Sequence, residues 1–265
     1  MKLKTLLYLF VFVSAFGSHA IIVRHDVAPG DYEIRSSDFP AVFFLQREGA
    51  RRICGATVIH ERWAITAAHC IYETNLGNSI NNGRNFTVEV ANEEREIDAV
   101  YGHPAITDKE NPEVDLALLR FSKASSVPWP MQVSRDSNEV GKVVTLVGWG
   151  YFGIGTTGRQ YADSTKRRAH NRIVQADSKL RFIFDDPRIL DSSSLPLEGS
   201  LGLGDSGGPA LIETKEGYHL VGVAIGEAVG DEYSEETQGK YGAIAVYERI
   251  SLHIDWIDSV FDSEG

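Results

Sequence analysis

A serine surrounded by glycines carries the clearest chemical signal in this chain of 265 residues. Ser206 lies in the sequence GDSGGP, residues 204–209. Glycine tolerates positive φ and lets another chain approach the backbone closely. The N–H groups of Gly204 and Ser206 can therefore converge on one point, where a carbonyl oxygen under attack would become an anion. Because a serine hydroxyl is a weak nucleophile until a base takes its proton, the rest of the chain must supply that base.

Two motifs upstream of Ser206 supply a base and an acid. His69 lies in TAAHC, residues 66–70, and Asp115 begins DLALL, residues 115–119. The order His69, Asp115, Ser206, with each residue inside its own motif, resembles that of the trypsin/chymotrypsin-like serine proteases. The resemblance covers nearly the whole chain, and three separate motifs carry it.

The resemblance implies hydrolysis of peptide bonds through an acyl-enzyme. Ser206 would attack a peptide carbonyl while His69 accepts its proton, and Asp115 would hold the imidazole tautomer and stabilise the imidazolium. We therefore predict a secreted serine endopeptidase. We expect a monomer that acts on protein or peptide substrates, binds proteinaceous protease inhibitors, and needs no cofactor and no metal.

Two other classes of protein remain as alternatives. A trypsin-like pseudoprotease would keep the fold and act as a binding module without chemistry. The glycines around Ser206 also fit the G-x-S-x-G elbow of α/β-hydrolases, which would make the protein an esterase. That fold places its acid and histidine after the serine, where Asp231 or Asp255 could pair with His253. The esterase hypothesis leaves the TAAHC and DLALL motifs without a role.

The N-terminal residues and the charge bound the compartment and the partners. Two lysines precede an apolar run at residues 6–16, and small residues stand at positions 18 and 20, which predicts a secretory signal peptide over residues 1–20. Its removal would move the formal net charge from −11 to −13. This acidic balance argues against nucleic acid and anionic membranes as partners.

Cys54 and Cys70 are the two cysteines of the chain. In a secreted protein they predict a disulfide, which would tether the backbone beside His69. A catalytic cysteine is the weaker hypothesis because a serine nucleophile is already present, and a zinc pair is weaker still because the histidines lack zinc-ligand spacing. Members of the resembled family usually carry further disulfides in their C-terminal half, and this chain has no cysteines there.

The pattern of apolar residues predicts an all-β protein. Short apolar or alternating runs recur along the chain, separated by Gly, Asn and Pro, as in a barrel or a sandwich. A division near residues 122–130 leaves His69 and Asp115 in the first half and Ser206 in the second. The active site is therefore expected between the two halves.

The resemblance supplies a more specific architecture. It implies a protease domain over residues 21–265, made of two six-stranded antiparallel β-barrels packed face to face, at about 21–125 and about 126–250. A short C-terminal α-helix is predicted at residues 251–262, with Ser251 as a candidate N-cap. One face of this helix carries the apolar residues Ile250, Ile254, Ile257 and Phe261.

The resemblance also assigns a role to the residues after the signal peptide. In the family, a freed N-terminal isoleucine becomes buried and its ammonium pairs with the aspartate before the catalytic serine, which forms the oxyanion hole. Here these residues are Ile21 and Asp205. Most relatives expose the isoleucine by cleavage after a basic residue, but Ala20 precedes Ile21, so we hypothesise that signal peptidase itself generates the active terminus. Arg24 and His25 replace glycines that follow this terminus in the family.

The family's specificity pocket aligns with residues that depart from the usual pattern. Ser200 would lie at the pocket base, where an acidic residue would signal cleavage after Lys or Arg. Ile225, Gly226 and Glu227 take the place of Ser-Trp-Gly, and Ala245 takes the place of a glycine. Ile225 removes a hydroxyl that commonly supports the catalytic aspartate, and Glu227 would favour a basic substrate side chain. A register slip of one or two residues would change these assignments, so the preferred cleavage site stays open.

Overall fold

The computed structural model describes residues 21–106, 113–124, 130–228 and 238–264. Residues 1–20, to which the signal peptide is assigned, and Asp231 of the esterase alternative lie outside these ranges. Over the part of the chain that is described, no helix is both long and apolar enough to cross a bilayer.

Short strands make up most of the structure, as the alternating apolar pattern predicts. In chain order the strands are β1 (Ile22–Val23), β2 (Val42–Glu48), β3 (Arg51–His60), β4 (Trp63–Thr66), β5 (Phe86–Val90), β6 (Glu93–Gly102), β7 (Ala117–Phe121), β8 (Gln132–Val133), β9 (Val143–Gly148), β10 (Phe152–Ile154), β11 (Gly158–Tyr161), β12 (Arg167–Ala176), β13 (Lys179–Ile183), β14 (Gly199–Ser200), β15 (Pro209–Thr214), β16 (Gly217–Glu227) and β17 (Ile244–Arg249). The helices are α1 (Cys70–Glu73), α2 (Leu76–Asn81) and α3 (Ile254–Glu264), with 3-10 turns at Pro29–Tyr32 and Ile250–Leu252.

Six antiparallel strands form the first barrel-like sheet, in the order β2-β3-β4-β7-β6-β5. Strands β4 and β7 lie at its centre and are buried along most of their length, which explains their continuous apolar sequence. Val58, Ile65 and Leu118 are fully buried inside this sheet. Its central strands lead directly into the segments that carry His69 and Asp115.

Six further antiparallel strands form the second barrel-like sheet. The order β15-β9-β12-β13-β17-β16 closes on itself because β15 also pairs with β16, and β8 adds to β16 in parallel. The interior contains Ile173, Leu180 and Phe182, all fully buried, and the ring of Phe182 meets that of Tyr247 edge-on at 4.9 Å. The two sheets confirm the predicted all-β, two-barrel fold.

The first residues after the assigned signal peptide join a third, four-stranded sheet, in the order β11-β10-β1-β14. Strand β1 is parallel to β10 and antiparallel to β14, so that Ile22 lies between Gly153 and Ser200. Ile21, Ile22 and Val23 are all buried. Strand β1 is thus held by strand pairing on both sides, and its partners β10 and β14 are more than a hundred residues away in the sequence.

Helix α3 is the predicted C-terminal helix and packs on the first barrel. Ile250, Ile257 and Val260 join the same apolar cluster as the strands of that barrel. Ser251 is not the N-cap, because it lies in the 3-10 turn and its hydroxyl donates a hydrogen bond to Glu139 at 2.7 Å.

The backbones of the two barrels touch next to the candidate active site. The N–H of Gly55, on β3, donates to the carbonyl oxygen of Ser206 at 2.6 Å. A Cβ on Gly55 would lie 3.0 Å from the Cα and N atoms of Gly208. Gly207 has φ of +78°, and a Cβ there would lie 2.2 Å from Thr66 Oγ1. Glycine is therefore required on both sides of this contact.

We expect Gly55→Ala to destabilise the fold, because its Cβ would push directly against backbone atoms of the other barrel. The free energy of unfolding should fall by about 1–3 kcal/mol, measured by urea denaturation followed by tryptophan fluorescence. Gly30→Ala is the control, because a Cβ there meets no atom within 4 Å. Equal stability of the two variants would contradict the proposed close contact.

Candidate active site

His69 is positioned at the point where β4 leaves the first barrel and α1 begins. A disulfide joins the next residue, Cys70, to Cys54 on β3, with a Cα–Cα distance of 5.8 Å and a sequence separation of 16. This confirms the predicted disulfide, whose loop is worth about 3 kcal/mol on a chain-entropy estimate. Both sulfur atoms and a His69 ring nitrogen lie within 4.8 Å of one another. Because the sulfurs are bonded to each other rather than present as thiolates, this cluster is not a metal site.

Asp115 holds His69 by two hydrogen bonds. The residue lies just before β7, and its side chain is largely buried. Its Oδ1 accepts the backbone N–H of His69 at 2.8 Å, and its Oδ2 lies 2.5 Å from His69 Nδ1. A carboxylate only accepts hydrogen bonds, so this contact places a proton on Nδ1 and leaves Nε2 free to act as a base.

The pKa of the His69 imidazole lies above its ordinary value of 6.5. Burial by itself lowers this pKa, but the hydrogen bond to Asp115 and the negative charge of that carboxylate raise it by more. The electrostatic arrangement therefore stabilises the imidazolium that forms when His69 takes up a proton.

Ser206 lies at the surface of the second barrel in a tight turn that faces the first. The N–H of Gly207 donates to the carbonyl oxygen of Ala224 at 2.7 Å, and the N–H of Gly208 donates to that of Asp205 at 2.9 Å. Gly207 packs against Thr66 and the backbone N of Ala67, only two residues before the histidine. The structure thus brings the serine segment and the histidine segment together between the barrels.

The hydroxyl of Ser206 and the imidazole of His69, both of which are described, are not hydrogen-bonded to each other. Bonds of this kind are often long without substrate and tighten in the complex with it.

The backbone N–H groups of Gly204 and Ser206 are the predicted donors of the anion site. Gly204 has φ of +100°, and a Cβ at this position would lie 2.5 Å from the carbonyl oxygen of Arg52, so only glycine fits. Within the described parts of the chain, neither N–H donates to a protein acceptor. Both donors are thus available to a substrate oxygen.

Asp205, next to Ser206, is a buried carboxylate. It accepts the backbone N–H groups of Gly150 and Gly202 at 2.6 and 2.8 Å. Burial raises its pKa to about 6, although these hydrogen bonds act in the opposite direction. Ile21 and Asp205 line the same narrow internal cavity. The two residues of the predicted N-terminal pair therefore line one cavity in the structure.

Arg24 and His25, which replace family glycines, are accommodated at the surface. Arg24 pairs with Asp26 at 2.6 Å and donates to the carbonyl oxygen of Leu195 at 2.6 Å. The backbone N–H of His25 donates to the hydroxyl oxygen of Tyr241 at 3.0 Å. Their side chains fasten the segment that follows β1 to two loops of the second barrel.

The residues assigned to the specificity pocket occupy different environments. Glu227 stands opposite Ala245 in the β16–β17 register, and its Oε2 accepts the backbone N–H of Gly239 at 2.9 Å. Burial raises the pKa of Glu227. Gly226, between Ile225 and Glu227, has φ of +154° beside a bulge in β16. Glu227 therefore already accepts a backbone hydrogen bond.

Ser200 and Ala245 are both buried. Ser200 stands opposite Ile22 on β14, and its hydroxyl has no hydrogen-bond partner among the described residues. Ala245 belongs to the core of the second barrel. Ile225 is half-buried and packs its apolar side chain against the first barrel's core.

Two charged residues close to Asp115 were not found by sequence reasoning. The carboxylate of Glu248, on β17, accepts the backbone N–H of Asp115 at 2.7 Å, and Lys179, on β13, donates to that carboxylate. The sequence offers one indication of a buried charge here: Glu248 directly follows the apolar run of β17 that ends at Tyr247.

These features define a protein of the trypsin-like, two-barrel class, with its site between the barrels. The family model described as Trypsin matches residues 29–257. The chain belongs to the trypsin family. The all-β fold contradicts the esterase alternative, which needs an α/β sheet flanked by helices.

Several curated relatives are similar to this chain. It is 29% identical over 240 residues to the urokinase-type plasminogen activator of Gallus gallus, covering 78% of this chain and 50% of that protein. It is 25% identical over 256 residues to the vitamin K-dependent protein C of Oryctolagus cuniculus, covering 85% and 50%. The chain thus spans about half the length of these two relatives. Granzyme F of Mus musculus is 27% identical over 234 residues, with 81% of this chain and 85% of that protein covered.

Two solved structures share the fold. Neuropsin from mouse brain superposes with a TM-score of 0.64 at 20% identity, covering 87% of this chain and 98% of that one. A mutant of human heparin binding protein gives a TM-score of 0.63 at 20% identity, with coverages of 88% and 96%. At this level of identity the likeness is one of fold.

Asp115→Asn should lower the pKa of His69 below 6.5, because it removes the charge that offsets burial. An NMR titration of the imidazole C–H signals would measure the shift. Glu73→Gln is the control, since Glu73 is exposed and is the smallest of the influences that raise this pKa. If the two variants titrate alike, Asp115 does not determine the protonation of His69.

Proposed function

We propose that the protein is a secreted serine endopeptidase with Ser206 as nucleophile, His69 as general base and acid, and Asp115 as the group that orients His69. The double hydrogen bond between Asp115 and His69 is the observation that carries this proposal. The family membership supports the reaction class, and the sequence of residues 1–20 supports secretion. The two barrels support our assignment of residues 21–265 to one protease domain.

In the proposed reaction, Ser206 Oγ forms a bond to the carbonyl carbon of the substrate as its proton passes to His69 Nε2. The carbonyl π electrons move to the oxygen, and the N–H groups of Gly204 and Ser206 stabilise the resulting anion. When the tetrahedral species collapses, the C–N bond breaks and His69 gives its proton to the departing amine. A water molecule then repeats the sequence on the acyl-enzyme and restores the serine hydroxyl.

The free N-terminus is the second part of the proposal. A chain beginning at Ile21 would carry an ammonium group near Asp205, which is buried and, among the described residues, accepts hydrogen bonds only from neutral backbone donors. An adjacent cation favours the ionised carboxylate and would lower the raised pKa of Asp205. This pair would fix the backbone of Gly204 and Ser206. Since Ala20 precedes Ile21, removal of the signal peptide would activate the enzyme directly.

The substrate side chain is the third part. Ser200 offers a neutral hydroxyl, and the carboxyl group of Glu227 is held by Gly239 and has a raised pKa. The neutral hydroxyl at the assigned pocket base favours a neutral substrate residue over Lys or Arg, and the engagement of Glu227 with Gly239 agrees with this preference. Protein substrates and proteinaceous inhibitors would use the same site.

A catalytically silent binding module is the second candidate function. One observation favours it: the apolar Ile225 stands where the family has a hydroxyl that supports the catalytic aspartate.

The purified secreted protein should cut a peptide library, and Ser206→Ala should lower kcat by roughly 10⁶-fold because the nucleophile is lost. Ser259→Ala, on the outer side of α3, is the control and should cut normally. The sequences of the products reveal the pocket: cuts after neutral residues are expected, and cuts after Lys or Arg would assign the cation site to Glu227. Cleavage that survives Ser206→Ala would refute the mechanism, and no cleavage by the intact protein would favour the binding module.

The secreted protein should begin at Ile21, as measured by intact mass and N-terminal sequencing. Adding one alanine before Ile21 replaces the ammonium by a neutral amide, so activity should fall about a hundredfold as the oxyanion donors lose their support. The same addition after the C-terminus is the control. Full activity of a protein with the extra N-terminal alanine would overturn the role assigned to Ile21 and Asp205.

A further inference from the structure

A buried ion pair lies directly behind Asp115. Lys179 and Glu248 stand opposite each other in the β13–β17 register, and the ammonium group of Lys179 donates to Glu248 Oε1. The side chain of Glu248 is fully buried, and that of Lys179 is 15% exposed. Both residues belong to the second barrel, whereas Asp115 belongs to the first.

This pair holds both ends of the segment that carries Asp115. Glu248 Oε1 accepts the backbone N–H of Asp115 at 2.7 Å, and Lys179 Nζ donates to the carbonyl oxygen of Glu113 at 2.8 Å. One side chain therefore satisfies a backbone donor, and its partner satisfies a backbone acceptor two residues earlier. The segment is not part of a strand, so no sheet hydrogen bonds fix it in their place.

The hydrogen bonds continue without a break to the imidazole. Because the side chain of Asp115 is short, holding its backbone in place also restricts the position of its carboxylate. That carboxylate accepts hydrogen bonds from the backbone N–H and from Nδ1 of His69. A displacement of about 1 Å in such a chain can cost a hundredfold in rate. Ile225 offers no hydroxyl to the carboxylate, so the support of Asp115 must come from elsewhere.

We propose that Lys179 and Glu248 form a positioning pair for Asp115, a role that rests on the proposed triad. The pair touches neither substrate nor reacting atoms and acts through the backbone of residues 113–115. Buried ion pairs add little net stability compared with apolar residues of the same size, because both charges must be desolvated. Positioning of Asp115 by this pair thus explains its presence here better than a contribution to stability does.

Other polar groups also surround the carboxylate of Glu248. His253 Nε2 lies 3.7 Å from Glu248 Oε2, and the ring of His103 meets that of His253 edge-on at 4.8 Å. His253 thus approaches the second oxygen of Glu248, Oε2, which accepts no hydrogen bond among the described residues. The oxygen that binds Asp115 is shared only with Lys179 among the described residues.

Two double variants separate positioning from charge. Lys179→Met with Glu248→Met and Lys179→Met with Glu248→Gln both remove the ion pair at similar volume. Only the glutamine keeps a carbonyl oxygen that can accept the N–H of Asp115. We expect the Met/Met protein to lose about tenfold or more in kcat with KM little changed, and the Met/Gln protein to recover most of that loss. The pKa of His69, measured by NMR, should fall in the Met/Met protein and return towards its original value in the Met/Gln protein.

A neighbouring buried ion pair provides the matched control. Arg249 follows Glu248 on β17 and pairs with Glu139 at 2.8 Å. Its other hydrogen bonds go to carbonyl oxygens of Ser137, Ala176 and Asp177, on the opposite side of the strand. The double variant Arg249→Met with Glu139→Met should lower the thermal midpoint while leaving both kcat and the pKa of His69 unchanged.

The outcomes are distinct from those that test the proposed function. If the original protein cuts no peptide, the endopeptidase proposal fails, whereas the NMR titration still tests the positioning of His69 through Asp115. If the original protein is active, equal kcat and equal His69 pKa in the Met/Met and Met/Gln proteins would overturn the positioning role. Effects on stability alone, matching those of the Arg249 control, would overturn it as well.

Discussion

The close approach of two backbones, at Gly55 in the first barrel and Ser206 to Gly208 in the second, is the constraint on which the molecule depends. The 2.6 Å hydrogen bond between the backbone N–H of Gly55 and the carbonyl oxygen of Ser206 joins the two barrels directly. It also sets the distance between the nucleophile segment and β4, which carries His69. Side chains larger than hydrogen would separate the barrels at this point, and the candidate site would open with them.

A site divided between two barrels also needs its acid defined from both sides. His69 binds the side chain of Asp115 from within the first barrel, and Glu248 binds its backbone from the second. The orientation of the imidazole therefore reports on the docking of the barrels. The carboxylate of Asp115 raises the pKa of His69, and its position depends on Glu248 of the second barrel being docked against the first.

Buried carboxylates hold loops of the C-terminal half in place, a role that disulfides usually have in members of this family. Glu198 accepts the backbone N–H groups of Asp185 and Leu195 and so closes the loop between them, while burial raises its pKa to about 7. Glu139 binds Arg249 and Ser251 and fastens the loop before β9 to the C-terminal turn. Each such group costs desolvation and accepts several directed hydrogen bonds. The raised pKa of Glu198 makes the loop that it closes sensitive to pH, which a disulfide would not be.

The sequence by itself determined the all-β class, the Cys54–Cys70 disulfide, the C-terminal helix and the candidate triad, because each depends on a local pattern or on residue types that the chemistry demands. Only the tertiary structure decided that β1 pairs with β10 and β14, that Glu227 binds Gly239, and that Lys179 and Glu248 meet behind Asp115. These features join residues far apart in the chain and leave no periodic signal. A buried charge can be explained only once its partner is known, because burial destabilises an unpaired charge far more than one that is paired and hydrogen-bonded.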